Sequence, residues 1–221
     1  QFPLILAVGT LAGGLYGAIA GYLKAKRGIH EVITGIMFNW IAFYAGNYVV
    51  SLERFHNPGT TTTYPINASG LDPIFNWKMS SAGQEALQHS AFLKETLGKT
   101  SANIGIIVAI IVALLITFIL KKTTKGYELR AVGLNKYASK ASGINVPKST
   151  IQTLLIAGAI AGLSGALSIT GVYQRLYELM ALENYGFNGL SVALMAGGSP
   201  IGCIFAGLLF AGLIYGGGTI Q

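Results

Sequence analysis

Charged side chains are scarce in this sequence. Only 10% of its 221 residues are Asp, Glu, Lys or Arg, whereas 52% are hydrophobic, and the mean hydropathy is +0.56. A soluble globular domain usually carries about a quarter charged residues. The scarcity of charge therefore argues against a soluble enzyme or binding domain and predicts a chain whose apolar surface faces lipid.

Cysteine and histidine are also rare, which limits the available chemistry. The single cysteine, Cys203, lies in an apolar run and excludes a disulfide framework or a cysteine-cluster metal site. The three histidines, His30, His56 and His89, lack the close spacing of metal ligands. Because no clustered catalytic set is found either, we predict that the chain is not an enzyme and binds no metal or cofactor itself.

A possible nucleotide-binding motif also fails. Residues 98–100 read Gly-Lys-Thr, as at the end of a phosphate-binding loop, but such a loop needs a glycine five residues before Gly98. Leu93 occupies that position. We therefore expect no nucleotide hydrolysis through this motif.

Carboxylates are missing from the middle of the apolar runs. Glu31 lies at the edge of one run, while Glu178 and Glu183 lie in a turn between two others. A proton- or sodium-coupled carrier normally keeps ionisable groups at mid-membrane. Their absence disfavours a secondary carrier, which stays an alternative, and indicates that the energy for any transport comes from elsewhere.

The apolar runs are long enough to cross a bilayer, which takes about 20 apolar residues. We predict spans over residues 2–23, 31–50, 103–120 and 151–172. A break at residues 197–200 (GGSP) predicts a half-helix over 187–197, a turn, and a last span over 201–215. The predicted fold is all-α: a polytopic integral membrane helical bundle with a broken helix, forming one transmembrane domain. We interpret residues 1–221 as an excerpt of a longer protein.

Lysine and arginine are unevenly placed, and cytoplasmic loops collect these residues. Seven lie within residues 121–149 and three within residues 24–27. Both segments are therefore predicted to face the cytosol, and residues 51–102 to form an external loop. The net charge of +7 thus reports orientation, and nucleic-acid binding is not expected because no basic stripe interleaved with aromatic residues is present.

The external loop is rich in turn-forming residues. A helix is predicted over residues 81–97, with Ser81 and Gln84 as a capping box. The loop is either a passive connector or a docking surface for an external protein, and the sequence leaves both open.

Small residues recur at helical spacing in two of the spans. Gly13, Gly17 and Gly21 are four apart, as are Gly158 and Gly162. Such faces let helix backbones approach closely in lipid. We expect packing within one subunit, with a dimer seam as the less favoured alternative.

The loop at residues 121–149 contains a short predicted helix. Asn135 is a suitable N-cap and Gly143 a suitable left-handed stop. One apolar face is predicted from the spacing of Leu134, Tyr137, Ala138 and Ala141, with Arg130, Lys136 and Lys140 around it. About two turns of helix are marginal alone in water. The helix therefore needs either a protein groove or the lipid headgroups as its support.

Two sets of polar residues are candidates for a solute pathway. Asn39, Phe43 and Asn47 follow Gly35 at intervals of four residues in the second span. An amide in hydrocarbon needs a partner, so Asn39 either bonds to another helix or contacts a substrate. Asn188 and Ser191, at the start of the half-helix, are a weaker second set.

Several segments resemble the permease subunits of bacterial ATP-binding-cassette importers, in the branch that serves branched-chain amino acids, simple sugars and nucleosides. The resemblance is carried by residues 124–135 (TKGYELRAVGLN), 141–144 (ASGI), 186–194 (GFNGLSVAL) and 200–202 (PIG). Residues 24–33 (KAKRGIHEVI) and 36–39 (IMFN) are most similar to the nucleoside-uptake group. Ser199 departs from the pattern, since members often carry asparagine before this proline.

The resemblance implies a mechanism and a set of partners. Residues 130–143 would be the coupling segment seated on a separate ATPase subunit, which would hold ATP and magnesium. A second permease subunit, identical or different, would complete the pore in the cytoplasmic (inner) membrane. An external substrate-binding lipoprotein or periplasmic protein would deliver the solute, with purine or other nucleosides as the first choice and simple sugars or branched-chain amino acids as alternatives.

Overall fold

A computed structural model describes residues 1–89 and 103–220 of the chain. Regular structure in this part is helical, and the strand-like pairings within it are isolated bridges between loops. The predicted all-α fold is confirmed. In chain order the helices are α1 (Phe2–Arg27), α2 (Glu31–Ser51), α3 (Pro73–Met79), α4 (Ser81–His89), α5 (Gly105–Lys122), α6 (Thr124–Leu134), α7 (Lys136–Ala141), α8 (Val146–Ser168), α9 (Tyr185–Met195) and α10 (Pro200–Ile220).

Four helices in the described ranges are long and apolar enough to cross a membrane. They are Phe2–Arg27, Gly105–Lys122, Val146–Tyr173 and Pro200–Gly217. The 21 residues of α2 also suffice in length, at about 1.5 Å per residue. α2 is not one of these four helices, and its crossing stays a prediction.

The helices group into two compact units. The first contains Gln1–Ile106 and Val132–Met180, and the second Ile107–Ala131 and Ala181–Gln221. In the first unit α1 packs along α8 through facing glycines. A Cβ atom added to Gly13 would lie 2.7 Å from the Cα of Gly162, and one added to Gly21 would lie 2.9 Å from the Cα of Ile151. Packing of the small-residue faces within one chain is therefore confirmed.

A loop platform, defined as residues 55–66 together with residues 174–179, also belongs to the first unit. The N–H of Thr63 donates to the carbonyl of Leu176 and the N–H of Ile66 donates to that of Gln174, both at 2.9 Å. Bridges also join Thr62 to Tyr177 and His56 to Thr63. A short π-helical continuation of α8, Ile169–Tyr173, leads into this platform and ends at Gln174, whose backbone is left-handed (φ 59°).

Asp72 ties this side of the first unit together. Its side chain is fully buried. One carboxylate oxygen accepts hydrogen bonds from the N–H groups of Ile74 (2.8 Å) and Phe75 (3.3 Å) and caps α3; the other accepts from the N–H of Ile104 (2.9 Å), just before α5. The N–H of Asp72 donates to the carbonyl of Thr170 at 3.2 Å. One residue therefore joins three segments that are distant in sequence.

The predicted capping box at the start of α4 is wrong by one residue. Ser81 is the first helical residue, and the hydroxyl of Ser80 accepts from the N–H of Gly83 at 3.2 Å. Both serines are plausible caps by sequence, and the difference comes from where α3 ends. The C-terminal part of the predicted helix, from residue 90, lies outside the described residues.

The second unit contains the predicted broken helix. α9 ends at Met195, and α10 begins at Pro200. Between them Gly197 (φ 60°) and Gly198 (φ 73°) are both left-handed, a conformation that glycine adopts without steric cost. The hydroxyl of Ser199 accepts from the N–H of Gly202 at 3.3 Å, so serine caps α10 at this position.

Candidate functional site

The short helix α7 is held in shape at both ends. The backbone of Asn135 is extended (φ −152°, ψ 106°), and its side-chain oxygen accepts from the N–H groups of Tyr137 and Ala138, both at 3.0 Å. At the other end Gly143 is left-handed (φ 81°), and the N–H of Ile144 donates to the carbonyl of Ser139 at 3.0 Å. The predicted cap and stop are confirmed.

The surface of α7 is largely uncovered within the described chain. The side chain of Tyr137 is 89% exposed, and Lys136, Ala138 and Ala141 are exposed as well. Ser139, on the opposite side of the helix, is only 4% exposed. The fold therefore anchors α7 by one small residue and presents its aromatic side chain to the surroundings.

The predicted apolar face of this segment is wrong in one respect. Leu134 ends α6, whereas Tyr137, Ala138 and Ala141 belong to α7. The extended backbone of Asn135 interrupts the helical period between them, so the four residues do not form one helix face. Leu134 is nonetheless 90% exposed. Two separate helices therefore offer uncovered apolar side chains near Asn135.

Arg130 lies on α6, one helical turn before Leu134, and is exposed. The predicted coupling residues are thus divided between two helices: Arg130 and Leu134 on α6, and the remaining four on α7. The division leaves both helices as candidates for contact with a partner.

The start of α6 depends on residues that the sequence reasoning missed. The hydroxyl of Thr123 accepts from the N–H of Gly126 at 3.0 Å, which caps the helix. A Cβ atom on Gly126 would lie 2.6 Å from the Cα of Leu120, so only glycine fits there without a shift. A threonine three residues before a glycine, separated from the preceding apolar run by two lysines, is the signal that could have found this turn.

Asn39 on α2 is exposed, and its side-chain amide forms no hydrogen bond with the residues that the structure describes. Its neighbour Phe38 packs on Tyr16, with ring centroids 4.9 Å apart, and the hydroxyl of Tyr16 donates to the carbonyl of Phe38 at 2.7 Å. The α1–α2 contact is therefore made beside Asn39 and leaves its amide available.

Asn47, by contrast, is fully engaged by the fold. Its side-chain N–H donates to the carbonyl of Leu179 at 2.8 Å, and its side-chain oxygen accepts from the N–H of Leu179 at 2.9 Å. Both polar atoms of the amide are used in this pair. The geometry therefore gives Asn47 a structural role, and it does not favour a substrate contact.

Phe43 belongs to an aromatic group on α2. Its ring centroid lies 5.7 Å from that of Trp40 and 5.3 Å from that of Tyr44, in edge-on arrangements, and Trp40 stacks on Tyr44 at 5.9 Å. Trp40 and Tyr44 remain 44% and 65% exposed. The three rings pack against one another, and the rings of Trp40 and Tyr44 are each still exposed on part of their surface.

The second pathway set, Asn188 and Ser191, lies on α9. The hydroxyl of Ser191 donates to the carbonyl of Phe187 within its own helix at 3.1 Å, and Asn188 is half-buried. Of the five pathway residues predicted from sequence, Asn39 therefore keeps the most available polar group. In the described part of the chain no group of three or more His, Cys, Asp or Glu side chains could hold a metal ion.

Comparison with known proteins identifies the class. The chain belongs to the family of branched-chain amino acid transport system permease components, whose model matches residues 1–220. The chain is accordingly a multi-pass membrane protein of the permease type, and the resemblance seen in its sequence is confirmed.

Individual relatives are similar along nearly the whole chain. The guanosine ABC transporter permease protein NupP of Bacillus subtilis is 37% identical over 209 residues, which cover 95% of this chain and 55% of that protein. The nucleoside ABC transporter permease protein NupB of Lactococcus lactis is 35% identical, and the match covers 95% of this chain and 54% of that protein. The glucose ABC transporter permease protein TsgB13 of Haloferax volcanii is 26% identical, and the match covers 99% of this chain and 55% of that protein.

The chain thus spans a little over half the length of these curated relatives. No solved protein structure matches it.

Proposed function

We propose that the chain is the membrane-spanning core of a permease subunit in an ATP-driven importer of nucleosides. The observation that carries the proposal is the side chain of Tyr137, 89% exposed at the tip of a helix that is capped at both ends. A helix of six residues is not stable alone in water. Its ordered, uncovered aromatic side chain therefore fits a groove on a partner.

The partner is an ATPase subunit that holds ATP and magnesium. Burying the ring of Tyr137 and the side chain of Leu134 in its surface would stabilise the complex by about 1.5–3 kcal/mol for each large apolar group. The positive charges of Lys136 on α7 and of Arg130 on α6 are each proposed to orient the ATPase. Closure of the ATPase then acts on α7, and ATP drives transport because the closed ATPase binds one permease conformation better than the other.

Two further partners complete the importer. A second permease subunit, of the same or another chain, supplies the other half of the pore. The loop platform receives the external binding protein that delivers the solute. Its exposed Phe55, Tyr64 and Tyr177 side chains, held by the loop pairings, are of the aromatic type enriched in protein interfaces.

The solute is a nucleoside, because two relatives at 35–37% identity carry guanosine or nucleoside in their names. Asn39 is the polar contact in the pathway and the open faces of Trp40 and Tyr44 stack on the base, since aromatic stacking suits every nucleobase. A simple sugar is the second candidate, favoured by the glucose permease relative at 26% identity.

The proposal is tested by uptake of radiolabelled guanosine in cells that produce the full-length permease with its partners. We expect Tyr137→Asp to lower uptake by about a hundred-fold, because a carboxylate placed in an apolar groove loses its hydration. The control Tyr137→Phe keeps the ring and should retain most of the uptake.

The same assay separates the alternatives. Competition by excess glucose or leucine, but not by adenosine, would replace the nucleoside assignment with a sugar or a branched-chain amino acid. Uptake that survives deletion of the ATPase gene and collapses with an uncoupler would identify a secondary carrier and overturn the proposal.

A further inference from the structure

We propose that a basic cleft between α1 and α8 binds the phosphate of an anionic phospholipid headgroup. The basic cleft is a cavity of about 400 Å³ lined by Lys26, Asn145, Pro147, Lys148, Ile151 and Gln152. The inference needs only that α1 and α8 cross the membrane, and it is independent of the substrate and of the ATPase.

The walls of the basic cleft are fixed by the glycine packing described above. Lys26 lies in the last turn of α1, and Lys148 lies in the first turn of α8. One turn into the membrane from Lys26, the backbone of Gly21 packs against Ile151, so the two helix ends keep a constant separation. The cleft is therefore a preformed site, which lowers the entropy cost of binding.

The charge of the basic cleft is positive and unbalanced. No acidic residue lines it, and neither Lys26 nor Lys148 forms an ion pair within residues 1–89 and 103–220. The nearby carboxylate of Glu31 is already bound to Lys24 at 2.6 Å. Two free ammonium groups and the amide of Gln152 can together surround the oxygens of a phosphate, whereas a carboxylate-lined cleft would repel it.

The location selects a lipid as the source of that phosphate. α1 and α8 are both long and apolar enough to span the membrane, so their paired ends lie at headgroup depth. Pro147 and Ile151 add apolar lining to the cleft beside the two lysines, and this apolar lining suits the glycerol and acyl region next to a headgroup. A bound headgroup would also touch Asn145, two residues after the Gly143 stop of α7, and so brace the segment that joins α7 to α8.

The experiment uses the full-length permease, purified with its partners and examined by native mass spectrometry for bound lipid. Phosphatidylglycerol and phosphatidylcholine with the same acyl chains are titrated in parallel. We expect phosphatidylglycerol to be retained on the native protein, and the double variant Lys26→Gln/Lys148→Gln to reduce its affinity about thirty-fold, because each lysine near an anionic lipid surface contributes about 1 kcal/mol and about 1.4 kcal/mol is a factor of ten. The matched control Lys121→Gln/Lys122→Gln removes two exposed charges at the end of α5 that do not line the basic cleft, and it should leave occupancy within about two-fold.

Three results would overturn the assignment. Equal retention of phosphatidylcholine would show that charge does not select the ligand. An equal loss in both double variants would show general attraction of lipid to a basic protein. Displacement of phosphatidylglycerol by millimolar inorganic phosphate would assign the basic cleft to a soluble phosphate.

Discussion

The side-chain amide of Asn47 and the backbone of Leu179 form a reciprocal pair of hydrogen bonds, at 2.8 and 2.9 Å, although the two residues are 132 positions apart. The pair ties the end of α2 to the loop platform. An asparagine amide can replace a peptide group in this way because its planar side chain carries an N–H donor beside a carbonyl acceptor, as a peptide group does.

Asn47 and Asn39 should therefore respond differently to the same substitution. We expect Asn47→Ala to lower the free energy of unfolding by about 1–3 kcal/mol, since it leaves both polar groups of Leu179 without their partner. Asn39→Ala should leave stability within about 0.5 kcal/mol, as is usual away from packed features, and should reduce guanosine uptake. Thermal unfolding of the purified permease and uptake in cells measure the two effects. A destabilised Asn39→Ala with normal uptake per folded molecule would remove Asn39 from the pathway.

The glycine contact between α1 and α8 gives a second prediction. Gly13→Ala should lower the unfolding free energy by about 1–3 kcal/mol, because the added methyl group meets the backbone of Gly158 and Gly162. The matched control is Gly35→Ala on α2, where nothing lies within 4 Å of the new Cβ. The control should be neutral or slightly stabilising, since alanine is the better helix former. Equal melting temperatures for the two variants would contradict the packing described here.

Asp72 provides a third prediction, in two graded steps. Asp72→Asn keeps an oxygen to cap α3 but loses the acceptor for the N–H of Ile104, which should cost about 1–3 kcal/mol. Asp72→Ala loses the cap as well and should cost about 1 kcal/mol more. Denaturant unfolding of the purified proteins ranks the free energies of unfolding of the native protein, Asp72→Asn and Asp72→Ala. If Asp72→Ala were as stable as the native protein, Asp72 would not be joining these segments.

The cap of α7 can be tested separately from its surface. Asn135→Ala removes the acceptor for two N–H groups and should destabilise α7 by about 1 kcal/mol, whereas Asn135→Ser keeps a good cap. Because α7 carries the proposed contact with the ATPase, the alanine variant should lower substrate-stimulated ATP hydrolysis in the reconstituted complex more than the serine variant does. Equal hydrolysis by both variants would mean that a rigid α7 is not required.

The features that could be read from the sequence are those with local or periodic causes. Asn135 and Gly143 mark the ends of α7 because capping depends on a side chain and a backbone conformation a few residues away. The spacing of Gly13, Gly17 and Gly158 likewise indicates close helix packing. In these cases the residue types and their spacing along the chain are enough to predict the structure.

The features that were missed depend either on a local break in the backbone or on tertiary position. The extended backbone of Asn135 moves Leu134 onto another helix, and an i, i+3, i+4, i+7 count cannot detect that break. The bonds from Asn47 to Leu179 and from Asp72 to Ile104 join residues far apart in the chain. No local pattern distinguishes such an asparagine from one that faces a pathway.

The central claim, that α7 seats on an ATPase subunit, is tested most directly by cross-linking. A Tyr137→Cys variant of the full-length permease, in which Cys203 and every other native cysteine are replaced by serine, is joined to its ATPase partner through a short bifunctional thiol- and amine-reactive reagent. We expect a permease–ATPase product from Tyr137→Cys and none from Tyr64→Cys on the loop platform. Labelling of the Tyr137→Cys thiol by a membrane-impermeant reagent added outside intact cells, with no product joined to the ATPase, would contradict the account.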